Sequence, residues 1–330
     1  MTILQPQVGH ETLELLTNVL IGNGFSIGIS SQFNYSSLVE LCDLNIIDKK
    51  LFEELETSNF EFVMKTLVNA DKLDKIYNRT DSTFLHAYGR IKRSLIEAIG
   101  KIHPEKYEID LSDNYVLNKT MVRHSKRIFS TNYDMLLYWM ILEDKKHVDF
   151  FGRSHNKDGT LRFTPNRESE KQVFHLHGAL HLYLNDGYIE KLNTSDHLAN
   201  HSSIVELIKE MIELGRMPLF ISEGNGEEKK KSILNNEYLN FCYKSLEDLE
   251  GSITVFGHSL DNEVDSHIIH ALNNAKKLSR VNYCIYTEGK SEPVIQLEMS
   301  RITYLFSGKE VVFYDSESIR NNMRVIEFYV

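Results

Sequence analysis

Val19-Leu20-Ile21-Gly22-Asn23-Gly24-Phe25-Ser26 is a short aliphatic run that stops at a glycine-rich turn. Such a run, bounded by turn residues, reads as a buried strand. Three later stretches repeat the arrangement. Ile128-Phe129-Ser130 precedes Thr131-Asn132-Tyr133-Asp134, Val173-Phe174 leads into His175-Leu176-His177-Gly178, and Ile253-Thr254-Val255-Phe256 precedes Gly257-His258-Ser259-Leu260-Asp261. Buried strands that alternate with helical patterns build parallel sheets with covering helices. Ligands of open α/β sheets sit beyond the carboxyl ends of the strands. The four motifs are therefore expected to converge on one small molecule, and their residue types suit a nucleotide.

Working outward, residues 11–16 have helical spacing and lead into this first strand. From 36 to 123 the pattern changes. Leu38, Leu41 and Cys42, then Leu51, Phe52 and Leu55, then Phe60, Val63, Met64 and Leu67 recur at three- and four-residue intervals, and residues 85–99 do the same. That is the spacing of amphipathic helices. The expected fold is α/β: a Rossmann-like, mostly parallel sheet flanked by helices, with a helical insertion after the first strand. One domain spans 1–330, and the insertion occupies 36–123. Downstream, helices are expected over 134–142, 203–214, 233–249, 262–276 and 294–305. Strands are expected at 180–184 and 188–192, joined by an Asn185-Asp186-Gly187 hairpin turn. Further strands are expected at 217–221, 283–286, 311–314 and 325–330.

The chain has 330 residues, 42% hydrophobic and 25% charged, with formal net charge −10. A surface this acidic is unsuited to holding a nucleic-acid backbone broadly, so no direct nucleic-acid partner is expected. Cys42, Cys242 and Cys284 lie far apart with no Cys-x-x-Cys, which indicates neither a zinc ribbon nor a disulfide framework. The first residues carry no basic region followed by an apolar stretch, and no apolar run approaches the ~20 residues that span a bilayer. A cytoplasmic location without membrane attachment is the expectation.

Gly22-Asn23-Gly24-Phe25-Ser26 has the glycines that permit tight turning and close backbone approach, with N–H groups able to face an anion and a Ser26 hydroxyl as a further donor. The alternative is a plain strand-to-loop turn, because the spacing is not Gly-x-Gly-x-x-Gly. Asn132 offers a donor and an acceptor on one amide, suited to a ribose hydroxyl or a water. Asp134 either caps the next helix, braces the loop or accepts from a hydroxyl. His175 and His177 are i and i+2 on a strand and share a face. They read as two ligands of one metal, as a single general base at His177, or as half-buried strand residues. Gly257 again allows close approach, Ser259 offers a hydroxyl, and Asp261 is placed to cap a helix. His267 and His270 read as surface or packing residues. Lys229-Lys230-Lys231 reads as a solvated helix start, with contact to substrate phosphates as the alternative.

Together these motifs resemble the sirtuin superfamily, and within it the divergent bacterial sirtuin-like domains of anti-phage, NAD-depleting systems. The resemblance implies that Gly22, Asn23, Gly24, Phe25 and Ser26 hold the dinucleotide. Thr131, Asn132 and Asp134 lie beside the nicotinamide ribose, His177 before Gly178 is the catalytic base, and Gly257, Ser259 and Leu260 contact the adenosine side. Asn132 orients water or ribose. The four-cysteine zinc module of protein-deacylating sirtuins has no counterpart here, so no metal is expected. The implied activity is an NAD⁺ glycohydrolase, with NAD⁺ as substrate, that depletes cellular NAD⁺ in abortive infection. An unregulated enzyme of that kind would kill its host. The expected partners are therefore further copies of the chain, a regulatory protein encoded nearby, or both, and the insertion, the hairpin or residues 223–231 would hold the off state. NAD-dependent deacylation, ADP-ribosyl transfer, a silent nucleotide sensor and a metal hydrolase are the competing expectations.

Overall fold

A computed structural model describes residues 2–33, 38–57, 60–79, 83–153, 160–185, 187–192, 203–221 and 225–329. Its strands are β1 (Ile3–Leu4), β2 (Asn18–Ile21), β3 (Arg127–Ser130), β4 (Phe151–Arg153), β5 (Leu161–Phe163), β6 (Gln172–His175), β7 (Gly178–Asn185), β8 (Tyr188–Lys191), β9 (Pro218–Phe220), β10 (Gly251–Phe256), β11 (Leu278–Ile285) and β12 (Glu310–Asp315). Seven of them form a sheet in the order β1-β12-β11-β10-β2-β3-β6, and every pairing in it is parallel. From β2 the chain adds β3 and β6 on one side, then returns to place β10, β11 and β12 on the other. The order therefore reverses between β2 and β10. That is where a doubly wound sheet opens a crevice at its carboxyl edge.

The central strands are apolar because both faces are covered. Val19 and Ile21 of β2 and Ile128 of β3 enter one core, with Val63, Leu67, Ile91, Leu95 and Met121 of the helices between β2 and β3. Leu20 and Phe129, one residue out of phase, enter the other core with Leu239, Leu246, Ile268, Leu272 and Met299. Helices fill the stretch between β2 and β3, the longest of them Phe60–Ile76, Thr83–Ile102 and Asp113–His124. The fold is thus a parallel α/β sheet flanked by helices, with a helical insertion after β2. The first strand of the chain is the two-residue edge strand β1, which pairs with β12.

Four features differ from the sequence reading. Residues 217–221 supply β9, which joins β4, β5, β7 and β8 in a second, antiparallel sheet of order β4-β5-β8-β7-β9 instead of the main sheet. β4 and β5 are three residues long, too short for an alternation to register. Residues 325–329 of the stretch expected as a strand (325–330) belong to the helix Ser316–Tyr329, whose buried Ile319, Met323 and Ile326 follow a helical period. The helix expected over 233–249 is two, Gly226–Leu234 and Glu237–Glu247, because Asn236 starts afresh by accepting from the Leu239 N–H at 3.0 Å. Of the expected segments, residues 36, 37, 58, 59, 80–82, 186, 223, 224 and 330 lie outside the described residues. Among the described residues, no helix is long and apolar enough to cross a membrane.

Candidate active site

The turns after β2 and β10 meet backbone to backbone. Gly22 N–H donates to Phe256 O at 3.1 Å and Gly24 N–H to Gly257 O at 2.8 Å. A Cβ on Gly24 would stand 2.7 Å from Gly257 Cα, and one on Gly257 would stand 2.6 Å from Phe25 N. Gly257 also has φ 64°, which only glycine adopts without strain. Phe25 N–H donates to Gly22 O. The amides of Gly22, Gly24 and Phe25 are therefore committed to the protein's own carbonyls and do not form the expected anion cradle, and residues Asn23–Ile27 coil into a short helix. Gly257→Ala is expected to lower unfolding free energy by about 2–5 kcal/mol, combining left-handed strain with overpacking. Gly251 has φ 78° with nothing within 4 Å of a Cβ. Gly251→Ala should lose only the strain, about 1–2 kcal/mol. Urea unfolding of both variants checks the difference, and equal losses would contradict the contact.

The loop after β3 is tied to that turn by side chains. Asn132 Nδ2 donates to Gly22 O at 3.0 Å and to Ser26 Oγ at 2.9 Å. The Ser26 hydroxyl in turn donates to Asp134 Oδ2, and Asp134 Oδ1 accepts from Leu136 N–H at 2.9 Å. Burial raises the Asp134 pKa, and the bonds from Ser26 and Leu136 oppose that rise. Ser26 is wholly buried. Its hydroxyl braces Asp134 and is not presented to a ligand, and Asp134 supports the loop.

The chain passes from β6 to β7 through Leu176 and His177, and Gly178 makes the turn at φ 76°. This hand-over between the two sheets holds His177 beside the other strand ends. Ile221 N–H donates to the His177 carbonyl at 2.8 Å, fixing its backbone. The His177 ring meets His267 of the helix Ser266–Asn274, with 2.8 Å between the two Nε2 atoms. Its pKa is held well below 6.5, first by burial, then by His267, Lys229 and His258, while the Thr131 backbone opposes the shift weakly. His258 Nδ1 accepts from Leu260 N–H at 3.0 Å and lies 3.8 Å from Asp265.

All four motifs border one cavity of about 350 Å³. It is lined by Asn23 and Gly24, by Thr131, Asn132, Tyr133 and Asp134, by His177, and by Gly257, His258 and Ser259. Gly22, Phe25, Ser26 and Leu260 are not on its wall. Phe25, Ser26 and Leu260 are fully buried, and Gly22 abuts His258. His175 is also elsewhere. It packs edge-on against His181 at 5.0 Å, so it and His177 face different neighbours. Among the described residues, no three His, Cys, Asp or Glu side chains are grouped to hold a metal. Asp261 accepts from Glu263 and Val264 N–H at 2.8 and 3.0 Å, which closes a local turn, and Asp265 instead stands at the N-cap of the helix Ser266–Asn274.

Four residues of this region were not assigned to the site by the sequence: Lys229 and His267, read as solvated or packing residues, and Asp265 and Gly226, which no motif singled out. Lys229 is 4% exposed and lines the cavity, 3.9 Å from Asp265, which lines it too. His267 is fully buried against His177. Gly226 N–H donates to Glu263 O and anchors the start of the helix that carries Lys229. Only that helix's 3.6-residue period distinguishes Lys229 from the half-buried Lys230 and the exposed Lys231 beside it.

Buried neutral histidines make the fold acid-sensitive. Burial pushes His103 and His175 down to about 4 and His267 to about 3. In the unfolded chain each takes up a proton near pH 6.5, whereas in the folded protein it does so only at these lower values. Their stabilisation is complete above pH 6.5 and is lost as pH falls toward 4, at about 1.4 kcal/mol per unit for each group. The thermal midpoint should drop steeply between pH 6.5 and 4 in a calorimetric series. A flat profile would contradict the neutral, buried state of these rings.

Comparison with curated proteins gave no match. A solved structure titled "Structural Basis for the Mechanism and Regulation of Sir2 Enzymes" is similar at 11% identity, over 97% of this chain and 97% of that one, with TM-score 0.37. A TM-score at that level leaves the fold to be argued from the sheet itself. The family described as Domain of unknown function (DUF4917) matches residues 19–321. That span runs from β2 to the last helix and includes every motif lining the cavity, so the chain belongs to the DUF4917 family.

Proposed function

We propose that the chain is an NAD⁺ glycohydrolase, cleaving the nicotinamide–ribose bond with water to give nicotinamide, ADP-ribose and a proton. The observation that carries this reading is the meeting of Asn132 and His177 on the wall of one cavity at the switch point of the parallel sheet. A second cavity of about 590 Å³ shares Gly24 and Gly257 with the first and is lined by Arg320 and by Ser316, whose buried hydroxyl has no partner among the described residues. Two adjoining compartments suit an elongated dinucleotide, and both volumes lie in the usual range for ligand pockets.

Nicotinamide in NAD⁺ is a cationic leaving group, so no general acid is needed to expel it, unlike an ordinary glycoside. The protein's tasks are to position the ribose, steady the oxocarbenium-like carbon and deliver water. His177 is neutral at pH 7 and takes the proton of the attacking water as the new C–O bond forms. Asn132 holds the glycine turn at its working distance, and Lys229 supplies positive charge to the cavity.

The insertion bears directly on this site. Asn118 Nδ2 donates to Phe25 O at 2.8 Å, Asn114 Nδ2 donates to Gly28 O, and His103 Nε2 accepts from Met135 N–H at 2.8 Å. A protein partner or second copy that shifts these helices would shift both site loops, which is the regulation we propose for defence by NAD⁺ depletion. Mass analysis of products, with NAD⁺ and an acylated peptide present, tests the reaction. Free ADP-ribose supports hydrolysis. O-acyl-ADP-ribose, modified protein, or tight binding without nicotinamide release would replace it with deacylation, transfer or sensing.

A further inference from the structure

The donors that a glycine turn usually offers to an anion are committed inside this protein. The amides of Gly22, Gly24 and Phe25 bond to Phe256 O, Gly257 O and Gly22 O, and the Ser26 hydroxyl goes to Asp134. An anion in the first cavity has to be held by another group. Among the described residues, Lys229 is the only lysine or arginine on that wall, and its side chain is buried. Its placement is built into the packing of two helices. Asn225 caps the helix Gly226–Leu234 by accepting from Glu227 and Glu228 N–H, both at 3.0 Å. A Cβ on Gly226 would stand 1.9 Å from Ser266 Oγ. The start of this helix is therefore clamped on the start of the helix Ser266–Asn274, and Lys229 follows within the first turn, facing inward. Asp265 Oδ1 lies 3.9 Å from its Nζ.

A buried ammonium is stable only where negative charge stands near it. Burial first, with Lys229 among the neighbours, holds the rings of His177, His258 and His267 below their ordinary pKa, so they add no positive charge at pH 7. The nicotinamide–ribose unit of NAD⁺ is cationic before and during loss of nicotinamide. An ammonium about 6 Å away opposes its binding and reaction by on the order of 10²-fold. A phosphate on the same ribose reverses the sign, because it brings negative charge to the lysine and screens the reacting carbon from it. We propose that Lys229 binds the phosphate on the 5′ carbon of the nicotinamide ribose and so restricts the site to phosphorylated nicotinamide ribosides. This rests on the reading of the first cavity as the nicotinamide–ribose compartment.

Two measurements test it. In calorimetric titration with ADP-ribose, Lys229→Gln should bind about 10–100-fold more weakly than wild type, the loss of a charged hydrogen bond. The single change leaves Asp265 charged opposite a neutral residue, so the double variant Lys229→Gln, Asp265→Asn is measured beside it, with melting as the folding control. Affinity that stays low in the double variant supports phosphate binding. Affinity restored there, or unchanged in Lys229→Gln, overturns it and leaves Lys229 as a counter-charge to Asp265. The second measurement is turnover of nicotinamide mononucleotide and nicotinamide riboside, which differ by one phosphate. Lys229→Gln should lower kcat/KM at least tenfold for the mononucleotide and raise it several-fold for the riboside. A fall for both, or a riboside rate left where it was, overturns the proposal. Failure of the hydrolase reading shows separately, as no nicotinamide from NAD⁺ or either smaller compound while ADP-ribose affinity still depends on Lys229.

Discussion

His177→Ala is expected to lower NAD⁺ turnover by about 10²–10⁴-fold, the usual contribution of a positioned base, and to leave a folded protein. The fold tolerates the change because the bond from Ile221 N–H to residue 177 is a backbone bond and survives it. The side chain lies at the cavity wall. Nicotinamide release at matched enzyme concentration, with circular dichroism melting as the control for folding, measures both. Undiminished turnover would remove His177 from the chemistry. A melting midpoint that collapses would mean the His177–His267 contact is a structural fastening.

Asn132→Ala should cut turnover by a comparable margin for a different reason. The side chain is the clasp between two strand ends, through Gly22 O and Ser26 Oγ. Without it the Gly22 carbonyl and the Ser26 hydroxyl lose a donor, which costs about 1–3 kcal/mol of stability. The glycine turn is then free to drift, and a displacement of about 1 Å in a positioned site is worth on the order of 10²-fold in rate. The two variants are thus separable. His177→Ala should show a large rate loss with little change in stability, whereas Asn132→Ala should show both, with kcat measured well below its lowered unfolding midpoint. A stable but inactive Asn132→Ala would assign the amide to the substrate instead of the turn.

The architecture was legible where burial acts on both faces of a strand. Val19-Leu20-Ile21, Ile128-Phe129 and Ile253–Phe256 contain almost nothing but apolar residues because both faces are covered: Val19 and Leu20, Ile128 and Phe129, and Val255 and Phe256 enter different cores. The polar motif that follows each run marks the carboxyl edge of the sheet. The same logic fails for the short strands Phe151–Arg153 and Leu161–Phe163, which carry arginines and span too few residues for a period. It misleads at Val325-Ile326, where Ile326 is buried and Val325 exposed on a helix that packs by its 3.6-residue repeat.

The site was legible in its loops and hidden in its helices. Asn132, His177 and Gly257 follow strands directly, so their position along the chain gives their position in space. Lys229 reaches the cavity, and His267 reaches His177 behind its wall, from helices, where a lysine triplet and a histidine read by default as solvated or packing residues. Their roles depend on how the helix 226–234 docks against the start of the helix 266–274, a contact that no local pattern announces. Ser26 shows the opposite error. Its place in a glycine turn suggests a ligand contact, but the hydroxyl is spent on Asp134.

The most direct test is a time course of nicotinamide release from NAD⁺ by the purified wild-type chain, alone and with the proteins encoded beside its gene, and with His177→Ala in parallel. The expected result is nicotinamide and ADP-ribose in equal amounts from the wild-type chain in at least one of these mixtures, and almost none from His177→Ala in the same mixture. NAD⁺ left intact in every mixture, or consumed equally by both proteins, would contradict the account.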